Sequence, residues 1–401
     1  MQRATLIREK VAQAITLLRE FSIDCWITFV RETAINGDPT LDFLVGSDLT
    51  WQSAIILTSS GRTCAIVGQY DKKMVEETGA YQDVVGFVEG INEAFLATMR
   101  DLAPRTIAVN YSQDSEICDG LTHGMYLNLI GLLREIGMDS RLVSAEVVIS
   151  ALRQRKTSTE IGYVRGAVAI TEEIFRLVAR YITPGMTEQQ VAEFMRKEVE
   201  TRKVGFAWEP ATCPAVFTGP DTAAAHYTPT GRVIEPGHVL NMDFGVRSND
   251  YVSDLQRTFY IMESNDTGVP ADVQKGFDTI RRSIESARKA MKPGVPGLAI
   301  DAIARETIVH AGYEGFPHAL GHQVGRYAHD GTALLGPAWE KYGRKPFQQL
   351  EEGMVFTLEP RLTVEGRGVV TIEEMVVVTP SGAEYLSTPQ ETLLLVPSVR
   401  R

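Results

Sequence analysis

Two acidic residues interrupt a pair of strand-like, apolar runs in which charged side chains are unexpected. Asp243 and Asp254 lie in NMDFGVRSNDYVSDLQRTFY (residues 241–260), on either side of the turn-forming residues 248–250. Turn-prone Asn and Asp between apolar and β-branched runs indicate a β-hairpin. With a two-residue loop, the aspartates share one face of the hairpin, as opposite or diagonal neighbours. Like charges so placed destabilise a hairpin, so the pair needs a compensating partner.

A second predicted hairpin has the same feature. MVFTLEPRL and GVVTIEEMVVV flank residues 365–367, and Glu359 and Glu373 lie symmetrically about Gly366. A three-residue loop places these two glutamates opposite each other, whereas a four-residue loop gives that position to Glu374. Buried charges must be paired or must coordinate a metal. Two carboxylate pairs among Val, Ile, Phe and Met therefore predict a bound cation.

Histidines lie between the two hairpins, in PHALGHQVGRYAHDG, which contains His318, His322 and His329. The H-x-x-x-H spacing alone is weak, because a zincin helix needs Glu where Ala319 stands. With the strand carboxylates, one histidine completes a candidate ligand set: Asp243, Asp254, His322, Glu359 and Glu373, with Glu374 still open in place of Glu373.

The predicted donor set indicates which metals the site prefers. Four carboxylates balance the charge of two divalent cations, and oxygen-rich ligation with one imidazole suits Mn(II), Fe(II) or Co(II) more than a structural zinc. We expect two divalent ions, with manganese preferred and cobalt, iron or zinc as alternatives. Such a pair lowers the pKa of a bridging water and holds a polarised substrate oxygen.

Composition excludes several classes of protein. The 401 residues carry a net charge of -11, which argues against nucleic-acid binding because phosphate contacts need clustered Lys and Arg. No apolar run approaches the roughly 18 residues of a membrane span, and the N-terminus lacks the apolar core of a signal peptide. Four scattered cysteines without a C-x-x-C pair indicate buried, reduced thiols. We therefore expect a cytoplasmic protein.

The first part of the chain predicts a small α/β domain. An amphipathic helix covers residues 3–21, and the apolar runs CWITFV, SAIILT, TCAIVG and TIAVN alternate with helical stretches near 91–101 and 121–136. The polar segment RQRKTSTE (153–160) then supplies N-capping residues for a long helix. The predicted domains are 1–153 and 154–401.

The second part changes to an α+β pattern. Helical periodicity alternates with the two hairpins at 238–261 and 354–379, and it recurs at 160–181, 187–203, 270–292 and 298–312. Strand pairs with helices packed on one side favour a curved, mostly antiparallel sheet.

Over roughly residues 153–401 the chain resembles the pita-bread metallopeptidases, which include proline dipeptidase, aminopeptidase P and methionine aminopeptidase. The matching segments are DFG…DYVSDLQRT, PHALGHQVG, TLEP and IEEM, in the family's order. The preceding 150 residues resemble the creatinase-type N-terminal domain of proline dipeptidase and aminopeptidase P. By this resemblance the metal ligands are Asp243, Asp254, His322, Glu359 and Glu373, which favours Glu373 over Glu374.

The resemblance also implies residues that act on substrate. His226, in FTGPDTAAAHYTP, and His329 match the family's substrate-facing histidines, and Glu359 is expected to handle the proton of the attacking water. His318 is expected to line the substrate site. The implied enzyme is a homodimeric, dinuclear peptidase that removes the N-terminal residue of short peptides, with proline second.

Three positions depart from the family pattern. Thr371 stands where proline dipeptidase and aminopeptidase P usually have Arg, two residues before the final metal-binding Glu. Arg361 replaces the usual Gly after the proline of TLEP, and Ala319 replaces the usual Gly after the first histidine. Arg361 is therefore a candidate substrate-binding cation that acts from a neighbouring position.

Two other classes of function remain as alternatives. The same fold supports a metal-dependent lyase that acts on dimethylsulfoniopropionate, in which a base at the metal site removes a proton. It also supports metal-free relatives, such as creatinase and peptide-binding domains of histone chaperones. The presence of all five ligand types argues against the metal-free class.

Overall fold

The chain forms two compact units, Met1–Arg153 and Gln154–Arg401. The computed structural model describes residues 2–113, 115–220 and 228–398. The first part of the chain contains six α-helices and six strands among these residues: α1 (Gln2–Glu20), α2 (Leu41–Leu44), α3 (Lys72–Thr78), α4 (Asn92–Leu102), α5 (His123–Arg134), α6 (Glu146–Gln154), β1 (Cys25–Val30), β2 (Ser53–Thr58), β3 (Thr63–Gly68), β4 (Asp83–Phe87), β5 (Ile107–Val109) and β6 (Leu142–Ser144).

A mixed six-stranded sheet organises the first unit, in the order β4-β3-β2-β1-β5-β6. Every residue of β1 is buried, because helices cover both faces of the sheet. Trp26 packs into one core with residues of α1, whereas its neighbours Cys25 and Ile27 pack into a second core with residues of α4 and α5. Sheets covered on both faces need continuous apolar runs such as CWITFV. The predicted α/β character is confirmed.

The second unit contains four α-helices and fourteen strands in its described part. They are α7 (Ser158–Tyr181), α8 (Glu188–Arg202), α9 (Ala271–Ala290), α10 (Gly297–His310), β7 (Gly205–Phe206), β8 (Ala215–Thr218), β9 (Val239–Phe244), β10 (Val246–Ser248), β11 (Tyr251–Val252), β12 (Leu255–Ile261), β13 (Gly321–His322), β14 (Leu334–Leu335), β15 (Val355–Leu358), β16 (Arg361–Val364), β17 (Gly368–Thr371), β18 (Glu374–Thr379), β19 (Gly382–Tyr385) and β20 (Leu394–Val396).

Helix α7 begins with the predicted cap. The hydroxyl of Thr157 accepts a hydrogen bond from the Glu160 backbone N–H, and the Glu160 carboxylate accepts one from the Thr157 N–H. This reciprocal capping box satisfies two N–H groups at the helix start. Helices α9 and α10 pack against each other and share a core with residues of β15, β16 and β18.

The first acidic hairpin is set by a two-residue turn. Asn249 and Asp250 have φ of 50° and 65°, as a type I′ turn requires. In the ladder, Ser248 pairs with Tyr251, and Asp243 pairs with Gln256. Asp254 is therefore the diagonal neighbour of Asp243, one of the two arrangements that the sequence predicts.

The second acidic hairpin is set by a three-residue turn. Val364 pairs with Gly368, and Leu358 pairs with Glu374 across the two strand pairs. The same register places Glu359 opposite Glu373. The three-residue loop predicted around Gly366 is thereby confirmed, and the four-residue alternative is wrong.

Backbone contacts bring the hairpins and the histidine strand together. Gln256 and Glu373 form an antiparallel bridge between β12 and the residue before β18. The Glu359 N–H donates to the Leu320 carbonyl at 2.8 Å, which draws the PHALGHQVG segment onto the second hairpin. Glycine permits this approach: a Cβ at Gly321 would lie 2.0 Å from the Thr357 carbonyl oxygen.

We predict that Gly245→Ala destabilises the second unit. A Cβ at Gly245 would lie 1.8 Å from the Ser253 carbonyl oxygen, so the first hairpin must deform, and overpacking of this kind costs about 1–3 kcal/mol. Gly166→Ala is the control, since Gly166 lies in α7 with nothing within 4 Å of its added Cβ. The control should stabilise by about 0.5–1 kcal/mol. Thermal melts of the two variants should move in opposite directions, and a Gly245→Ala protein as stable as wild type contradicts the prediction.

Candidate metal centre

Five side chains converge where the two hairpins and β13 meet. One donor atom from each of Asp254, His322 and Glu373 lies within 4.8 Å of the others. The Nε2 atom of His322 is 3.8 Å from Asp254 Oδ2 and 3.2 Å from Glu359 Oε1. The carboxyl group of Asp243 contacts that of Asp254 through a hydrogen bond. The structure thus brings together all five residues that the sequence marks as candidate ligands.

The carboxyl groups of this cluster are largely removed from solvent. Asp243, Asp254 and Glu373 are 6%, 5% and 1% exposed. Within the described part of the chain, Asp243 Oδ1 and Glu373 Oε2 are buried without a hydrogen-bond partner. A buried, unpaired carboxylate oxygen is strongly unfavourable. Unpartnered oxygens beside an imidazole nitrogen fit a site for hard or borderline divalent cations.

The carboxyl groups differ in their affinity for protons in the absence of a cation. Burial, together with the charge of Glu359, raises the pKa of Asp243 to about 7. Burial and neighbouring carboxylates also raise the pKa of Asp254 and of Glu373 well above their ordinary values. Burial acts in the same direction on Glu359, but the hydrogen bond and charge of His322 outweigh it and lower the pKa of Glu359. Among these four carboxyl groups, Glu359 is the one whose pKa is lowered, which favours its ionised form.

The two glutamates of the IEEM segment have different surroundings. Glu374 forms a buried ion pair with Arg257 at 3.2 Å and accepts a hydrogen bond from Ser387 Oγ at 2.6 Å. Its carboxylate is therefore already neutralised by the fold. Glu373 joins the carboxylate cluster instead, which follows from the period-2 alternation of neighbouring strand residues.

The predicted substrate-facing histidines have different positions. His226 lies outside the described residues. His329 is exposed, and its ring lies edge-to-face against His322, with centroids 4.2 Å apart. The Nδ1 atom of His318 lies 2.8 Å from the Ala319 carbonyl oxygen, which accepts but cannot donate, so Nδ1 carries the proton. His318 Nε2 is buried and has no hydrogen-bond partner among the described residues.

A small cavity lies next to the cluster. Its lining combines Glu359 of the cluster with other polar and apolar side chains: Phe217, Gln256, His318, Arg361, Val369 and Thr371. Arg361 and Thr371 are cross-strand partners in the β16–β17 ladder. Glu359 therefore borders both the carboxylate cluster and this cavity.

Among the polar residues of this cavity, Gln256 is the one that was not predicted. Its amide Nε2 donates to Glu359 Oε2 at 3.4 Å, and its Oε1 accepts from Thr371 Oγ1 at 3.0 Å. The signal was present in the sequence, because Gln256 lies two residues after Asp254 and therefore on the same strand face. Gln256 links the cluster to the position where the family usually has Arg.

The cluster and the fold define a class of protein: the pita-bread metallopeptidases. Residues 162–380 match the model of metallopeptidase family M24, and the chain belongs to this family. It is therefore a metal-dependent hydrolase, as the sequence predicts. No helix among the described residues is both long and apolar enough to cross a membrane.

Known relatives agree with this assignment. The chain is 26% identical to an uncharacterized peptidase of Staphylococcus aureus over 337 residues, which is 83% of this chain and 87% of the relative. It is 32% identical to a Xaa-Pro dipeptidase of Pyrococcus furiosus over 249 residues, 62% of this chain and 67% of the relative. The crystal structure of an X-Pro aminopeptidase from Thermotoga maritima is similar in fold, with a TM-score of 0.73 and 24% identity over 95% of this chain and 100% of that chain.

We predict that Asp254→Asn and Glu359→Gln each weaken metal binding. Removing one charge from a buried ionic cluster costs about 3–5 kcal/mol, so affinity should fall on the order of 10²-fold or more. Glu365→Gln is the matched control, since Glu365 is an exposed residue in the turn of the second hairpin. Metal analysis after dialysis should show depletion in the first two variants only. Full metal content in both would contradict the ligand assignment.

We also predict that metal removal destabilises the protein more as the pH rises. Asp243, Asp254 and Glu373 have raised pKa values in the fold, so their protonated forms stabilise the metal-free fold at low pH. For Asp243 this contribution is present below about pH 4 and is lost as the pH approaches about 7. Bound cations remove this dependence.

Melting temperatures of metal-loaded and chelator-treated protein test this expectation. Their difference should grow from pH 5 to pH 8. A difference that is absent at pH 8, or that narrows on going from pH 5 to pH 8, would mean that these carboxyl groups are solvated rather than buried together.

Proposed function

We propose that this metallopeptidase is dinuclear and removes the N-terminal residue of short peptides, with Xaa-Pro dipeptides or longer Xaa-Pro peptides as substrates. The observation that carries the proposal is the position of Glu359, which contacts His322 in the cluster and also lines the cavity. We further propose that the enzyme is a homodimer, as the family resemblance implies, and that it is cytoplasmic, which its four free, buried cysteines favour.

The five clustered side chains are the proposed ligands. Asp243, Asp254, Glu359 and Glu373 supply four negative charges, which two divalent cations neutralise, and His322 supplies one imidazole. This balance supports two ions rather than one. The predominance of oxygen donors supports manganese, with cobalt, iron and zinc as alternatives.

The bound ions would supply Lewis acidity, which polarises the scissile carbonyl and makes water a stronger acid. Glu359 is the residue that accepts the water proton and passes it to the leaving nitrogen, because its carboxylate is ionised and faces the cavity. The amide of Gln256 and the imidazole of His322 hold that carboxylate in place.

The histidines supply hydrogen bonds to the substrate. His329 lies against His322, so its ring can donate to the oxygen on which charge develops during attack. His226 is proposed for the same kind of role from the FTGPDTAAAHYTP segment. The unprotonated Nε2 of His318 is an acceptor, which suits an N–H group of the peptide.

The proline preference has two supports. The relative from Pyrococcus furiosus is named a Xaa-Pro dipeptidase. In this chain, Phe217 and Val369 pack together in a small apolar cluster and line the cavity, where they offer an apolar surface for a proline ring.

We predict that substitutions of His329 and His322 have different effects on metal binding and activity. His329→Ala should keep its metal but lower kcat by about 10²–10³-fold, because one transition-state donor is lost. His322→Ala should lose metal and activity together. His310→Ala is the control, since His310 is exposed at the end of α10.

Metal analysis beside steady-state kinetics on Xaa-Pro dipeptides distinguishes these outcomes. If His329→Ala releases the metal while His322→Ala retains it, the ligand has been assigned to the wrong histidine. If metal-loaded wild type cleaves no Xaa-Pro peptide but eliminates dimethyl sulfide from dimethylsulfoniopropionate, the lyase hypothesis replaces the peptidase proposal.

A further inference from the structure

Arg361 brings a positive charge to the cavity beside the carboxylate cluster. Its side chain is partly buried and lines the cavity, yet no hydrogen bond or ion pair joins its guanidinium to any residue in the described part of the chain. Two other shielded arginines of the same unit have acidic partners: Arg257 pairs with Glu374 at 3.2 Å, and Arg305 pairs with Asp301 at 3.0 Å. A shielded guanidinium without an anion is unfavourable unless a ligand supplies one.

The Arg361 side chain shares its cavity with the Glu359 carboxylate. Arg361 follows Glu359 by two residues along the chain, which corresponds to about 6.6 Å in an extended strand, and both side chains line the same space. His318 lines it as well. A substrate whose scissile bond lies at Glu359 can therefore place the residue after that bond near Arg361.

The ladder shows how this arrangement relates to the usual family pattern. Arg361 pairs directly with Thr371, the position at which related peptidases usually have an arginine. Cross-strand partners have Cβ atoms about 5 Å apart on one face. A cation attached to either strand can therefore reach the same cavity. Thr371 instead donates its hydroxyl to Gln256 and the Pro360 carbonyl.

Charge defines the group that Arg361 would bind. Two divalent cations balance the four carboxylates of the neighbouring cluster, so the charge of Arg361 is left for a ligand. Guanidinium groups bind carboxylates through two parallel hydrogen bonds. In a dipeptide, the C-terminal carboxylate lies one residue beyond the scissile carbonyl, whereas a longer peptide places a neutral amide there.

We propose that Arg361 is a specificity-determining residue that binds the C-terminal carboxylate of a dipeptide, in place of an arginine at position 371. This inference rests on the proposed function. It makes the enzyme a dipeptidase rather than an aminopeptidase for longer peptides, the choice that the sequence leaves open.

The first test compares substrates that differ only in this charge. We expect wild type to hydrolyse a Xaa-Pro dipeptide with a kcat/KM about 10- to 100-fold above that of its C-terminal amide, the ratio for a charge-assisted hydrogen-bonded pair. In Arg361→Gln the dipeptide should lose this advantage through KM, while the amide changes little. Arg367→Gln is the control, because Arg367 lies in the turn of the same hairpin and pairs with Glu263 and Asp272.

A strand-swap variant tests whether the guanidinium charge determines the preference regardless of which strand carries it. The double variant Arg361→Thr, Thr371→Arg moves the guanidinium to the opposite strand, and we expect it to recover part of the preference for the free acid. Metal content and melting temperature, measured for every variant, identify any that fail to fold. An Arg361→Gln protein that loses activity equally on acid and amide, or keeps the wild-type ratio, overturns the proposal.

A binding measurement distinguishes this inference from the peptidase proposal. Calorimetric titration of the metal-loaded protein with proline and with prolinamide reports carboxylate recognition without turnover. Tighter binding of proline by wild type, lost in Arg361→Gln, supports the role of Arg361 even if no peptide is cleaved. Cleavage of Xaa-Pro peptides with equal affinity for proline and prolinamide leaves the peptidase proposal standing and overturns the carboxylate site.

Discussion

The burial of four carboxyl groups side by side is the constraint on which the second unit depends. Asp243 and Glu373 each have an oxygen that is shielded from water and has no hydrogen-bond partner among the described residues, an arrangement that no apolar packing can compensate. We therefore expect bound cations to complete the fold and to add to its stability. Glu374 shows the alternative: a buried carboxylate paired with Arg257 is neutral within the chain and adds nothing to the metal site.

Turn geometry controls which carboxylates meet. A one-residue shift in either hairpin would turn its acidic side chains to the opposite face. The left-handed conformations of Asn249 and Asp250 fix the first register, and Gly366, with φ of 69°, fixes the second. These turn residues lie away from the cluster and are exposed, yet they determine its composition. The choice between Glu373 and Glu374 is thus a consequence of loop length rather than of either glutamate's own chemistry.

Local patterns predicted much of this arrangement, and long-range contacts account for what they missed. The capping box at Thr157, the two hairpins and the buried cysteines are confirmed because each depends on neighbouring residues or on composition. The parallel pairing of β20 with β12 joins Leu394 to Phe259, and no periodicity links segments that far apart. Gln256 was missed because its amide carries no charge, although its place on the strand face was already determined. The assignment of roles to the five candidate ligands remains a prediction.

The two glutamates of the second hairpin show how one pair of side chains acquires two tasks. They are cross-strand neighbours of the same residue type, so their chemistry differs only through their surroundings. Glu373 is almost fully buried and faces carboxyl groups, which leaves it suited to binding a cation. Glu359 has His322 on one side, Gln256 on the other and a cavity in front. Of the two glutamates, Glu359 is the one we propose as the base, because it also lines the cavity. Under the proposed function, Glu373 acts only as a metal ligand, whereas Glu359, which lies between the cluster and the cavity, acts both as a ligand and as the base.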